Sequence, residues 1–316
     1  MQAYIIRRLL LAIFVLWGVT LLVFSIMRLV PGDVVMMRLG EMGTIAPEQL
    51  AKLRADLGLD KPFHEQYITW ISGVVRGDLG DSLWTGTSVR NELAKRIPVS
   101  AELAAMAIVL ALSIAIPVGV ISAIRQDTVL DYVGRLLAIS GLSLPDFWLG
   151  TVMVMTLSLW FRWLPPIGYV PFFTDPLANL QQFAFPALIL GFRLSATSMR
   201  MTRSTMLEVL RQDYIRTAWS KGLKERAVIY RHALKNAMIP VITIIGTQFS
   251  VLLGGTVIME TIFVLPGVGR LTLDSIFNRD YTQLQGNVLF LAGIMVTANL
   301  LVDLSYAWFD PRIRYQ

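Results

Sequence analysis

Apolar runs of about 20 residues constrain this chain most, because a helix of that length crosses ~30 Å of hydrocarbon. Six such runs can be placed in the 316 residues, at 9–30, 99–124, 134–160, 183–203, 239–264 and 286–309. Hydrophobic residues make up 55% and charged residues only 16%, where a soluble domain carries about 25% charged. The mean hydropathy is +0.59. The expected fold is all-α: a polytopic membrane protein with six transmembrane helices and two polar inserts. One insert is an outer helical segment between spans 1 and 2. The other is a basic cytoplasmic loop between spans 4 and 5. Pro117, Pro145 and Pro186 lie in or near the runs, and membrane helices tolerate proline where neighbouring groups satisfy the freed backbone. The first run, Leu9–Met27, is longer than a signal-peptide core and lacks a small-residue cleavage pattern, so it reads as an uncleaved span.

Lys and Arg set the orientation. With the N-terminus inside, segments 1–8, 125–135, 199–238 and 310–316 hold 15 Lys/Arg, against 3 in the short outer segments 161–182 and 266–285. Positive charge accumulates on the cytoplasmic side, so both termini are expected there. The net charge of +6 therefore belongs to membrane topology and not to nucleic acid. There is no cysteine, and His64 and His232 are the two histidines, so thiolate and His-based metal centres are not expected. The sequence divides into 1–30, an external segment 31–98, and a core 99–316 that contains the basic loop 206–238.

The external segment has local helix signals. "APEQLAKLRADLG" places Pro47 near a start and Gly58 past an end. "PFHEQYITWISGVVRG" puts Phe63, Tyr67, Trp70, Ile71 and Val74 on one face, with Gly77 as a stop. This face either caps the outer helix ends or docks an external partner.

The basic loop is patterned like a lever. Asp213 can cap a helix over Tyr214–Lys221, and Gly222 can end it in a left-handed turn. A second helix over Lys224–Ala237 would follow, before Pro240 opens the fifth span. Ile215, Ala218 and Trp219 form an apolar face, with Arg211, Arg216 and Lys221 as charges. From the residues alone, a coupling lever and an interfacial helix on anionic lipid are both open.

"DYIRTAWSKGLKERAVIYRHALKNAMIPVI" resembles the coupling loop of permease subunits of binding-protein-dependent ABC importers, in their dipeptide/oligopeptide/nickel class. "RRLLLAIFVLWGVTLLVFSIMRLVPGD", "LGLDKPFHEQYITWISGVVRGDLGDSLWTG", "SLPDFWLG", "METIFVLPGVGRL" and "DPRIRYQ" resemble the same class, so the likeness runs the length of the chain. In that family a motif near E-A-A-x3-G-x9-I-x-L-P docks into a cleft of the ATPase subunit. Arg216, Thr217 and Ala218 stand at its E-A-A positions, and Gly222 and Leu234 match. His232 and Lys235 replace the isoleucine and proline. The resemblance implies an ATPase-coupling loop of Tyr214, Arg216, Thr217, Ala218, Lys221, Gly222 and Leu223. It also implies a second similar permease, two ATPase subunits carrying ATP and Mg, and an extracytoplasmic solute-binding protein. The importer would take peptides or a related solute such as nickel chelates across the inner membrane. No cofactor is expected on this chain.

No G-x-x-x-x-G-K-[ST], G-x-S-x-G or H-E-x-x-H occurs, so ATP hydrolysis and other catalysis are not expected here. "PGVGR" at 266–270 reads as a turn. A charge at mid-bilayer costs ~2.5–3.5 kcal/mol, so intramembrane ionisable residues face protein or water. Asp146 and Asp303 either line a pathway or pair structurally. Arg193 could pair with Glu260 or Asp303. Arg28 and Glu260 lie near outer span ends, and Glu102 is expected at a helix start. The alternative function is a self-sufficient secondary transporter or channel using Asp303 or Asp146.

Overall fold

The computed structural model describes residues 2–29 and 60–309, with side chains throughout except at 2–4, 250, 253–255 and 302–309. The helix expected over 47–58 and the side chain of Asp303 lie outside the described residues. The described helices are α1 (Gln2–Leu29), α2 (Phe63–Val75), α3 (Val89–Ile124), α4 (Val129–Ser143), α5 (Asp146–Phe161) and α6 (Pro176–Leu210). They continue with α7 (Asp213–Ser220), a π-helical turn (Ala227–Ala233), α8 (Leu234–Gly255), α9 (Val257–Ile262), α10 (Val268–Phe277) and α11 (Tyr281–Phe309). Among the described residues the β pairing seen is one isolated bridge, Asp81 to Ser88. Three of these helices are long and apolar enough to cross a membrane, or four crossings if the bent pair α4–α5 is one span. The chain divides into two compact units, Met1–Val99 with Gly267–Gln316, and Ser100–Pro266.

In the first unit α1 packs along α11. Its outward side chains are apolar: Leu10, Ile13, Phe14 and Leu22 are each more than 60% exposed. Water would penalise that surface, whereas hydrocarbon accepts it. Phe24 is fully buried under the face expected of α2, with ring centroids 5.2 Å from Phe63, 5.4 Å from Tyr67 and 5.5 Å from Trp70. Thr20 and Tyr67 share a hydrogen bond of 2.9 Å. Arg28 stacks over Phe24 at 4.2 Å and donates to Gln66 Oε1 at 3.0 Å. The turn 80–88 is fixed by Asp280, which accepts from Ser82 Oγ and from the Leu83 and Gln283 N–H groups.

The second unit is built on small residues that bring helices together. Ala104, Ala107, Ala111 and Ala115 form a buried stripe on α3. A Cβ on Gly191 of α6 would lie 2.9 Å from the Ala107 carbonyl oxygen, so the α3 and α6 backbones nearly touch there. Such close approach is how membrane helices gain dispersion contacts when lipid offers no hydrophobic drive.

Several sequence expectations are corrected here. The third run is not one straight helix: α4 and α5 are bent by 96° at Leu144–Pro145. Leu144 is extended (φ −88°, ψ 124°), as the ring of a following proline demands. The second run begins ten residues early, at Val89, so Glu102 lies in the interior of α3 and not at a helix start. There it accepts from Tyr169 Oη at 2.8 Å and Asn179 Nδ2 at 2.7 Å. Burial and the Glu102 contact push the Tyr169 hydroxyl up to about 12. The second loop helix is not separate from the fifth span: helix runs from Glu225 through the π turn into α8, with Pro240 inside it. "PGVGR" is not a turn throughout: Val268, Gly269 and Arg270 already form the first turn of α10, with Gly267 at its N-cap.

Candidate coupling surface and intramembrane charges

Eight residues of isolated helix do not hold together in water, because nucleation costs more than two turns repay. α7 holds because it is seated. Ile215 and Ala218 are buried in an apolar socket made by Val120 and Ala123 of α3, Met206 of α6, Val228, Ile229 and Ala233 of the π turn, and Ala237 of α8. Asp213 is the first helical residue and Gln212 stands at the cap with no side-chain bond, so the expected Asp213 cap is absent. Asp213 instead pairs with Arg216 at 3.3 Å on the surface.

Gly222 has φ +73°, the left-handed turn its position requires. Its N–H donates to the Trp219 carbonyl at 2.9 Å. A Cβ there would meet nothing within 4 Å. Gly222→Ala therefore costs only the backbone penalty, about 1 kcal/mol, and should leave uptake in membrane vesicles near normal. Gly222→Pro forces φ near −65°, removes the N–H and redirects Leu223, and uptake should be lost while the chain still inserts.

The sequence groups Trp219 with Ile215 and Ala218 on one apolar face, but Trp219 is 46% exposed while the other two are buried. Tyr214, Leu223 and Tyr230 are also exposed, at 42%, 38% and 57%. Asn236 Nδ2 donates to Tyr214 Oη at 2.7 Å and fixes that ring. Arg211, Arg216, Lys221, Lys224, Arg226 and Arg231 surround these groups, all exposed. Thr217 is exposed as well, its hydroxyl donating to the Asp213 carbonyl at 3.0 Å. Of the residues aligned with the coupling motif, Ala218 thus faces inward. Tyr214, Arg216, Thr217, Lys221 and Leu223 face outward.

The intramembrane charges sort differently from expectation. Arg193 Nη1 pairs with Asp146 Oδ2 at 2.5 Å, and not with Glu260. Asp146 opens α5 just after the bend, which carries it to α6. Its Oδ1 is buried and has no partner among the described residues. Glu260 does not reach an interface: it is fully buried, accepting from Ser100 Oγ and Thr256 Oγ1, each at 2.6 Å. It sits in α9 because the fifth run breaks at Thr256.

The sequence reading missed one cluster. Asp131 is fully buried and accepts from Arg203 Nε at 2.8 Å and Nη2 at 2.9 Å, from the Asp127 N–H at 3.1 Å, and from Ser122 Oγ and Arg135. The available signal was the i, i+4 spacing of Asp131 and Arg135 after a tight turn.

The long apolar helices that clad this chain make it a multi-pass membrane protein. It belongs to the family of binding-protein-dependent transport system inner membrane components. That family's model matches residues 115–315, and the family's N-terminal model matches 1–104. The chain is 42% identical to the dipeptide transport system permease protein DppB of Escherichia coli strain K12, covering 100% of both chains. It is 41% identical to a putative peptide transport system permease protein of Brucella abortus, and 38% identical to the di/tripeptide transport system permease protein DppB of Pseudomonas aeruginosa, again with 100% of both chains covered. The chain is a permease subunit of an ABC importer.

Proposed function

We propose that this subunit forms half of the route by which an ATP-driven importer carries short peptides through the cytoplasmic membrane. The full-length identity to permeases named for dipeptides and di/tripeptides carries this reading. It favours peptides over nickel chelates. Six spans, both termini inside, a second similar permease, two ATPase subunits holding ATP and Mg, and a solute-binding protein outside complete the arrangement. The α7 surface docks the ATPase, whose nucleotide-driven closure pushes α7 and rocks the helices against one another. Such a step is a rigid-body change between two packed states.

The route is proposed to run beside α6. Gln181, Arg193, Thr197, Arg200 and Ser204 are exposed along that helix. Charges on such a face are too costly for lipid and need water or protein.

The test is reconstitution. This chain alone in liposomes is expected to hydrolyse no ATP and to take up no dipeptide under an ion gradient. Adding the second permease, both ATPase subunits and the binding protein should give ATP-dependent dipeptide uptake. Gradient-driven uptake by the chain alone would establish the secondary-transporter alternative, with Asp146 or Asp303 as its carboxylate.

A further inference from the structure

Asp131 closes a polar joint that touches three helices. Ser122 donates from α3, Arg135 from α4 itself, and Arg203 from α6 through both Nε and Nη2. Arg203 Nε also reaches Ser122 Oγ at 3.1 Å, and Arg135 Nη2 binds Asp127 Oδ1 at 3.2 Å. The turn between α3 and α4 is thereby pinned, with Asp127 held at φ +59°. Both Asp131 oxygens are bonded, unlike those of Asp146.

The joint adjoins the α7 socket on two helices. Ser122 lies between Val120 and Ala123, which line the socket on α3, and Arg203 lies one turn before Met206, which lines it on α6. Backbone approach stiffens the same block. A Cβ on Gly119 would lie 2.7 Å from Thr202 Cβ of α6, and one on Gly134 of α4 would lie 3.2 Å from Val118 of α3. α4 contributes nothing to the socket cluster itself. A push on α7 reaches α4 through α6 and α3, the helices α4 packs against, while α5 also rests on α9 through Gly150 and Met259. Along α4 the polar fastening to α3 and α6 is Asp131.

We infer that Asp131 is the positioning residue that carries motion of the α7 socket into the bent α4–α5 arm. The inference rests on the coupling reading above. A carboxylate suits the role because a bidentate guanidinium contact fixes angle as well as distance, which a hydrophobic contact does not.

The experiment uses the complete importer in proteoliposomes, reading dipeptide uptake and ATP hydrolysis together. Asp131→Asn keeps the shape but loses the charge that holds both arginines. Hydrolysis stimulated by the loaded binding protein should persist, while peptides moved per ATP should fall about tenfold, within the range single contacts in a coupling route command. A wild-type ratio overturns the proposal. So does a parallel decline of uptake and hydrolysis with the amount of assembled complex, which marks a structural staple only. If Asp131→Asn fails to assemble, Ser122→Ala decides the matter: a reduced ratio supports the joint and an unchanged one overturns it. Ala218→Glu is run beside them. Normal uptake by Ala218→Glu would defeat the coupling reading itself, whereas loss there with a normal Asp131→Asn ratio would defeat the joint alone.

Discussion

Ala218→Glu is expected to abolish transport without preventing insertion. Ala218 is 6% exposed, in a cluster of buried apolar residues that includes Val120, Met206, Val228 and Ala233. A glutamate there would carry its carboxylate into apolar packing, and burying an unpaired carboxylate costs several kcal/mol. The helix relieves that cost by leaving the socket. Once out, α7 is too short to stay folded, so the exposed Tyr214, Trp219 and Leu223 lose their fixed arrangement. Where that penalty exceeds the free energy seating α7 by about 3 kcal/mol, under about 1% of molecules keep α7 seated, and uptake should fall toward that level. The apolar helices are untouched, so the amount of chain in the membrane should stay near normal. Ala218→Ser is the control. Its hydroxyl can return a hydrogen bond to the Tyr214 carbonyl one turn back, so most of the uptake should remain. Uptake above half of normal in Ala218→Glu would show that α7 does not transmit the work of the ATPase.

The readable parts of this fold were those governed by local rules. The Phe63, Tyr67 and Trp70 face follows from helical spacing, and it is the face that meets Phe24. Gly222 follows from the conformation that ends a helix, and its φ is +73°. What was not readable depended on distant partners or on competition between rules. At Leu144–Pro145, run length argued for one span and proline geometry for a break, and the proline prevailed. At Pro240 the outcome was the reverse, and the helix continues through it. The inward turn of Ala218 and outward turn of Trp219 depend on where Met206 and Val228 lie, which no local pattern reports. Glu260 is buried because Ser100, 160 residues away, supplies its donor. For Arg193 the sequence offered Glu260 or Asp303, and the partner is instead Asp146, which the bend swings to α6.

That choice has a measurable consequence. Arg193 is 57% exposed while Asp146 is only 15% exposed, and one Asp146 oxygen already lacks a partner. Removing the cation therefore strands the more deeply placed charge. Arg193→Leu should destabilise the protein by about 2–3 kcal/mol, below the ~3–5 kcal/mol of a fully buried pair because the guanidinium is half exposed. Asp146→Leu should cost less, since the freed guanidinium can turn toward water on the polar side of α6. The double replacement Arg193→Leu/Asp146→Leu removes both charges and should recover most of the loss, as replacing a whole ion pair by apolar groups commonly does. Thermal unfolding of the three variants in detergent reads the cycle, and dipeptide uptake by the complete importer reads its consequence. Recovery of stability together with uptake would mean that the pair only fastens the bend to α6. If stability returns and uptake does not, the two charges meet the substrate or its water, and α6 lines the route at Arg193. If the double variant is less stable than Arg193→Leu, the contact between the two side chains is not what holds the bend, and the pairing account of Asp146 fails.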